Sequence, residues 1–424
     1  MERRLSGGVM KGSLITAFWC LSFLTMSGAL KADNSGRIYG RIYTKDNEEF
    51  VGLIRWDKNE VNWVDVLDGN KDLPEKNRRA AKRHGAQDRD REHSIEIFGL
   101  KVGGNDENFW WSDNAQSGIR FGHLKSLKVI DDDRVLLALK SGIEVELTEG
   151  STDIGQDIRE LIIEDEKKGE IELVWDDIET VEFSPAQAGI KSRYGDRLYG
   201  NLTTRRGDEY SGFVCWDVDE VLTDDVIDGE ERDRTRKIEL GTVSAIERYS
   251  SSGATVFLKS GDQVILKGTN DVDDSNRGII ISDPGFGQMR VDWDEFSRLD
   301  FTPAKKSVTY DQFDGGRKLN GTVYAESGES YTGEIRWDND EEYTWEILDG
   351  DYRGAEFDVE FGLIKTIEKN STRTSLVTVW DGRSFRLRGS NDVDEENKGI
   401  FITQANGDVE QIGWDEFKKV EFAK

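Results

Sequence analysis

Along most of the chain, apolar and polar residues alternate with a period of two. TVYAES, SYTGEIRW, EQIGW and KKVEF, all in the last third, put every second side chain on one face, as a half-buried strand requires. Gly207, Gly261, Gly328 and Gly382 fall between such runs, where a tight hairpin needs positive φ. Asn47 stands at the matching place near the start. The alternation slips in WDEFKKVEF and FGLIKTIE, where apolar residues stand three apart, and this predicts a single 3₁₀ turn between two short strands.

The same pattern returns at fixed spacing. Residues 198–301 and 319–422 superimpose at a constant offset of 121: LYGNLTTRRGDEYSGFVCWDVDE becomes LNGTVYAESGESYTGEIRWDNDE. A further copy opens with IYGRIYTKDNEEFVGLIRWDKNE, 160 residues before its counterpart, so that Trp56 matches Trp216. It closes with LVWDDIETVEF at an offset of 118, Trp175 matching Trp293, which locates an insertion of about 42 residues between Gly69 and Phe121. The expected organisation is a segment 1–32, repeat 1 over 36–183 with its insertion at about 70–118, repeat 2 over 195–301 and repeat 3 over 315–422. Pro185 and Pro303 follow the last strands of the first two repeats and mark linkers. Inside repeat 3, SGESYTGEIRWDNDEE lies over DGRSFRLRGSNDVDEE at an offset of 54, matching Gly328 with Gly382 and Asp338 with Asp392. Each repeat therefore reads as two half-repeats of about 50 residues.

Four or five short strands closing on a 3₁₀ turn are the elements of a small barrel, so the expected fold class is all-β: tandem small β-barrels, three repeats of two halves each. GESYTGEIRWD, an acidic turn and then GLIKTI resemble the first strands and final turn of Sm-like and SH3-like small barrels. The three-copy arrangement resembles exported bacterial repeat proteins of unknown function. The basic and aromatic residues with which Sm-like proteins grip RNA do not stand at the acidic turn, so RNA binding is not carried over.

Charge narrows the partners. With 57 basic and 85 acidic residues, a net charge of −28, the surface repels polyphosphate, and nucleic acid is not expected as a partner. Residues 1–32 have a basic start, an apolar run from Leu14 to Met26 and small residues beyond, which is the layout of a signal peptide cleaved after Ala29 or Ala32. Removal of residues 1–32 takes away four basic residues and one acidic one and leaves a charge near −31. The expected location is periplasmic or secreted, with no transmembrane span after cleavage. Cys20 leaves with that segment, so Cys215 has no partner for an intramolecular bridge; in FVCWD it reads as a small buried hydrophobe.

Candidate chemistry centres on an acidic turn found in five of the six halves: Asp57-Lys-Asn59-Glu60, Asp217-Val-Asp219-Glu220, Asp271-Val-Asp273-Asp274, Asp338-Asn-Asp340-Glu341 and Asp392-Val-Asp394-Glu395. STDIGQD at 151–157 reads as a degenerate sixth. Asx turns explain such segments as ordinary structure, because a short carboxylate or amide caps its own backbone. Closely spaced oxygens also suit calcium, and Asp271, Asp273 and Asn276 with Asp392, Asp394 and Asn397 are the candidate ligands. The EF-hand pattern fails, since its sixth and twelfth positions fall on Asn397 and Thr403 in one loop and on Asn276 and Ser282 in the other. With His84, His93 and His123 the only histidines, histidine-based catalysis is not expected, and no catalytic residue is assigned.

Trp56, Trp175, Trp216, Trp293, Trp337 and Trp414 occupy matched strand ends, where core packing is expected. Trp110 and Trp111, in NDENFWWSDN, lie outside that frame and form the candidate ligand patch. Residues 71–93 carry eight basic and five acidic residues; they read as a solvated loop or as a docking segment for an acidic partner. The expected role is that of a non-enzymatic binding or structural module at the bacterial cell envelope, with a protein or envelope component as partner. A carbohydrate-binding or carbohydrate-processing protein and a weak calcium-binding protein are the alternatives.

Overall fold

The alternating runs become strands whose burial alternates in step: Asn320–Ala325, Thr374–Val379 and Ile178–Phe183 each bury one face. The computed structural model describes residues 33–72, 95–97, 100–102, 114–304 and 306–424. Segment 1–32 with Ala29 and Ala32, most of the basic segment 71–93, and Trp110 and Trp111 lie outside these residues. The described chain is all-β and antiparallel, and its only helices are single 3₁₀ turns of three residues. Phe121–His123, Leu240–Thr242 and Phe361–Leu363 form three of them, and Trp175–Asp177 forms another. No helix among the described residues is long and apolar enough to cross a membrane. Asn47, Gly207, Gly261, Gly328 and Gly382 all have positive φ, from 64° to 97°. At Gly328 a Cβ would meet nothing within 4 Å, so the backbone angle alone selects the residue there.

The pairing departs from the expected small barrels. In the first ten-stranded sheet the order is Gly169–Leu173, Leu161–Asp165, Glu49–Trp56, Tyr39–Thr44, Ile178–Phe183, Leu124–Asp131, Arg134–Leu139, Glu144–Thr148, Val66–Asp72 and Asn114–Arg120. Replacing each strand by its counterpart in the other half-copy gives the same order read backwards. Each half thus gives its first two strands to one five-strand set and its last three to the other. Glu49–Trp56 pairs with Leu161–Asp165, more than a hundred residues away, rather than with Val66–Asp72, the next strand. The end strands of each sheet do not pair with each other, so the sheets are open.

One edge is used instead to join two copies. Gly287–Val291 of the second copy pairs with Ala355–Glu360 of the third, so one sheet runs through both. Their apolar residues form one continuous core from Leu198 to Phe422. The first copy has its own core from Ile38 to Phe183, completed by Phe213, Tyr310, Phe313 and Trp345. Residues Asp33–Lys424 form one compact unit. At the centre of each copy two indoles meet edge to face: Trp56 on Trp175, Trp216 on Trp293 and Trp337 on Trp414, at 6.5, 6.2 and 6.4 Å between ring centroids.

Candidate functional site

The acidic turn after the second strand of each copy is a tight reversal. Trp56 and Glu60 exchange backbone hydrogen bonds of 2.8 and 3.0 Å, so the three residues between them must turn the chain. Asp57 and Lys58 both take positive φ (42° and 74°), as do Asp217 and Val218 and also Asp338 and Asn339. Asp tolerates this conformation because its short polar side chain bonds nearby groups. Here it does so fully buried: Asp57, Asp217 and Asp338 have no exposed surface.

Each of these carboxylates receives a basic residue from the second half of its copy. Arg159 donates its backbone N–H to Asp57 Oδ1 at 2.6 Å and its Nε to Oδ2 at 2.9 Å. Arg277 does the same for Asp217 at 2.6 Å with its backbone and 2.8 Å with Nη2. Lys398 holds Asp338 with its backbone N–H and, at 3.1 Å, with Nζ. Thr152, Asn270 and Asn391 add one side-chain bond each.

Beside the first carboxylate stands a second, from the other half. Asp153, Asp271 and Asp392 each accept an indole N–H on the backbone carbonyl, from Trp56, Trp216 and Trp337 respectively, always at 2.9 Å. Their Oδ2 atoms accept the amides of Asp68, Asp228 and Asp349. STDIGQD is therefore not degenerate in structure: Asp153 fills the place of Asp271 and Asp392. The offset of 118 lays Asp153 on Asp271 and Arg159 on Arg277, and that was the signal that could have found them.

A third carboxylate completes the group. One oxygen from each of Asp57, Glu60 and Asp153 lies within 4.8 Å of the other two, and Asp217, Glu220 and Asp271 are grouped in the same way. Oε2 of Glu60, Glu220 and Glu341 is buried with no hydrogen-bond partner among the described residues. Burial pushes Glu60 and Glu341 well above the usual carboxylate range, and Glu220 up to about 10. It also raises Asp153 and Asp392 well above theirs and Asp271 to about 7.

Comparison with protein-family models and with curated proteins gives no match. What the arrangement can do is thus decided by its chemistry alone.

The site opens on a cavity of about 100 Å³ between the first and second copies. Asp57, Glu60, Asp68 and Asp153 line it, with Arg159 and Arg197 facing them. Carboxylates at an equivalent position in each copy also tie the copies together. Asp65 Oδ2 caps the amides of Val61 and Asn62, while its Oδ1 takes Arg197 of the second copy at 3.0 Å. Asp225 caps Val221 and Leu222 and takes Arg55 of the first copy at 3.1 Å. Glu346 caps Glu342 and Tyr343 and takes Lys71 of the first copy. None of these three carboxylates was singled out by the sequence pattern.

The six residues expected to bind calcium divide differently. Asp271 and Asp392 are buried in the positions just described. Asp273 and Asp394 cap the amides of Ser275 and Glu396, and Asn276 and Asn397 accept from Gly278 and Gly399. Those four oxygens serve the Asx turns of their own loops, and the acidic group that Asp271 enters includes Asp217 and Glu220 but not Asp273. Cys215 is buried, and burial pushes its thiol pKa up. All six matched tryptophans are buried as well, which leaves Trp110 and Trp111, outside the described residues, as the aromatic patch of the sequence pattern.

Proposed function

We propose that the chain is an exported, non-enzymatic module of duplicated small β units, acting as a binding or structural scaffold at the cell envelope. One observation supports this reading: buried carboxylates join the copies to one another through ion pairs, as a scaffold requires. Arg197–Asp65, Arg55–Asp225, Lys71–Glu346 and Arg120–Glu360 each link residues of different copies. A body braced in this way presents its insertion, between Val66–Asp72 and Asn114–Arg120, from a fixed base.

The docking element is the basic segment beyond that hairpin. Lys71 belongs to the scaffold, since it pairs with Glu346, so the informative deletion removes residues 73–93 and keeps Lys71. The expected result is one envelope protein recovered by the full chain and lost with the deletion, at an unchanged melting temperature. Glycan-array binding abolished by Trp110→Ala with Trp111→Ala, and unaffected by the deletion, would replace this reading with the carbohydrate one.

A further inference from the structure

We propose that Asp57, Glu60 and Asp153 form a binding site for a hard divalent cation, calcium by preference. This ligand set differs from the oxygens of the Asx loops, because it draws on both half-copies.

The donors are all carboxylate oxygens already gathered within 4.8 Å, a set suited to calcium or magnesium rather than to a softer metal. Acidic residues alone would not make a site. The second observation is Glu60: its side chain belongs to a residue only 4% exposed, yet Oε2 has no partner among the described residues. A buried acceptor left without a donor is costly, and more so if charged, so native folds rarely leave such an atom without a partner. Oδ1 of Asp68 lines the same cavity and is likewise unpartnered.

Charge gives the valence. Arg159 neutralises Asp57, and Arg197 neutralises Asp65. Glu60, Asp153 and Asp68 remain with no cationic side chain bonded to them, a carboxylate excess that calls for a cation of more than one charge. A cavity of about 100 Å³ has room for the ion and a few waters at roughly 30 Å³ each, as calcium with three protein carboxylates requires.

The third copy supplies an internal comparison. There Lys71, brought in from the first copy, donates Nζ to Asp340 O at 2.8 Å, pairs with Glu346 and acts electrostatically on Glu341. Among the described residues the carboxylates of this third triad are not gathered within 4.8 Å as those of the first are, and no cation site is assigned to it.

The test uses the whole chain, stripped with chelator. Terbium emission sensitised by tryptophan reports binding, since the Trp56 indole bonds the carbonyl of Asp153. We expect saturable emission from one site, displaced by calcium, with affinity reduced at least roughly tenfold by Glu60→Gln. Glu341→Gln is expected to leave it unchanged. Emission that does not saturate, or that Glu60→Gln leaves intact, overturns the proposal. The unaltered chain gives an independent reading: a melting temperature raised by millimolar calcium relative to chelator supports it, and equal melting curves overturn it even if a variant does not fold.

Discussion

Glu360 shows how a single side chain can be set by its surroundings. Burial alone would raise its pKa, but Arg120, at 2.5 Å, and His123, at 3.3 Å, outweigh that and hold it down to about 2. The His123 Nδ1 accepts the amide of Gly315, so a hydrogen bond from the linker region fixes the ring. An unfolded glutamate titrates near 4.3, roughly two units higher. The folded state therefore gains stability from Glu360 at every pH above that value, and loses it as pH falls from about 4.3 towards 2. The loss should be on the order of 1–3 kcal/mol. Denaturant midpoints measured across this window should fall more steeply for the native chain than for Glu360→Gln; parallel curves would show that the pair contributes no pH dependence.

At the scale of the strand, glycine has two separable uses. Gly321 faces Gly333 across the first hairpin of the third copy, as Gly40 faces Gly52 and Gly200 faces Gly212. A Cβ on Gly333 would lie 2.1 Å from the carbonyl oxygen of Thr403, on the strand donated by the other half. At Gly382 a Cβ would meet nothing, and only φ of +97° opposes it. Gly333→Ala should cost about 1–3 kcal/mol or more, since backbone cannot yield as a side-chain tip can. Gly382→Ala should cost on the order of 1 kcal/mol. Equilibrium unfolding of the two variants checks the order, and equal losses would mean that strand exchange does not set the spacing at Gly333. The hairpin glycines were legible in the sequence because a turn is local. The reason for Gly333 was not, because the atom it avoids belongs to a strand some seventy residues on.

Over the whole molecule, the copies act on one another through charges that each copy cannot satisfy alone. Arg197 and Asp65 are 5% and 6% exposed, so removing one partner strands a buried charge. Arg197→Met should destabilise by about 3–5 kcal/mol, and Arg197→Met with Asp65→Asn, which removes the charge but keeps an oxygen for the amides of Val61 and Asn62, should recover much of it. Additive losses in that double-mutant cycle would mean that the pair does not couple the first and second copies. Lys71 follows the same logic over a longer distance, from the foot of the insertion hairpin to Glu346.

The sequence by itself determined the threefold recurrence, the β character, the hairpin turns and the repeated acidic position, because each depends on local spacing and local backbone preference. The buried fate of the matched tryptophans also followed from their place at strand ends. Only the tertiary structure decided which strands pair, that the sheets remain open, and that Asp57 meets Asp153 rather than its own loop neighbours. Those outcomes depend on contacts between halves and between copies, and alternation of period two is compatible with several partners for each strand. A carboxylate becomes a cation ligand, a cap or an ion-pair partner according to what lies opposite it, and for these residues that is chain from another half or another copy.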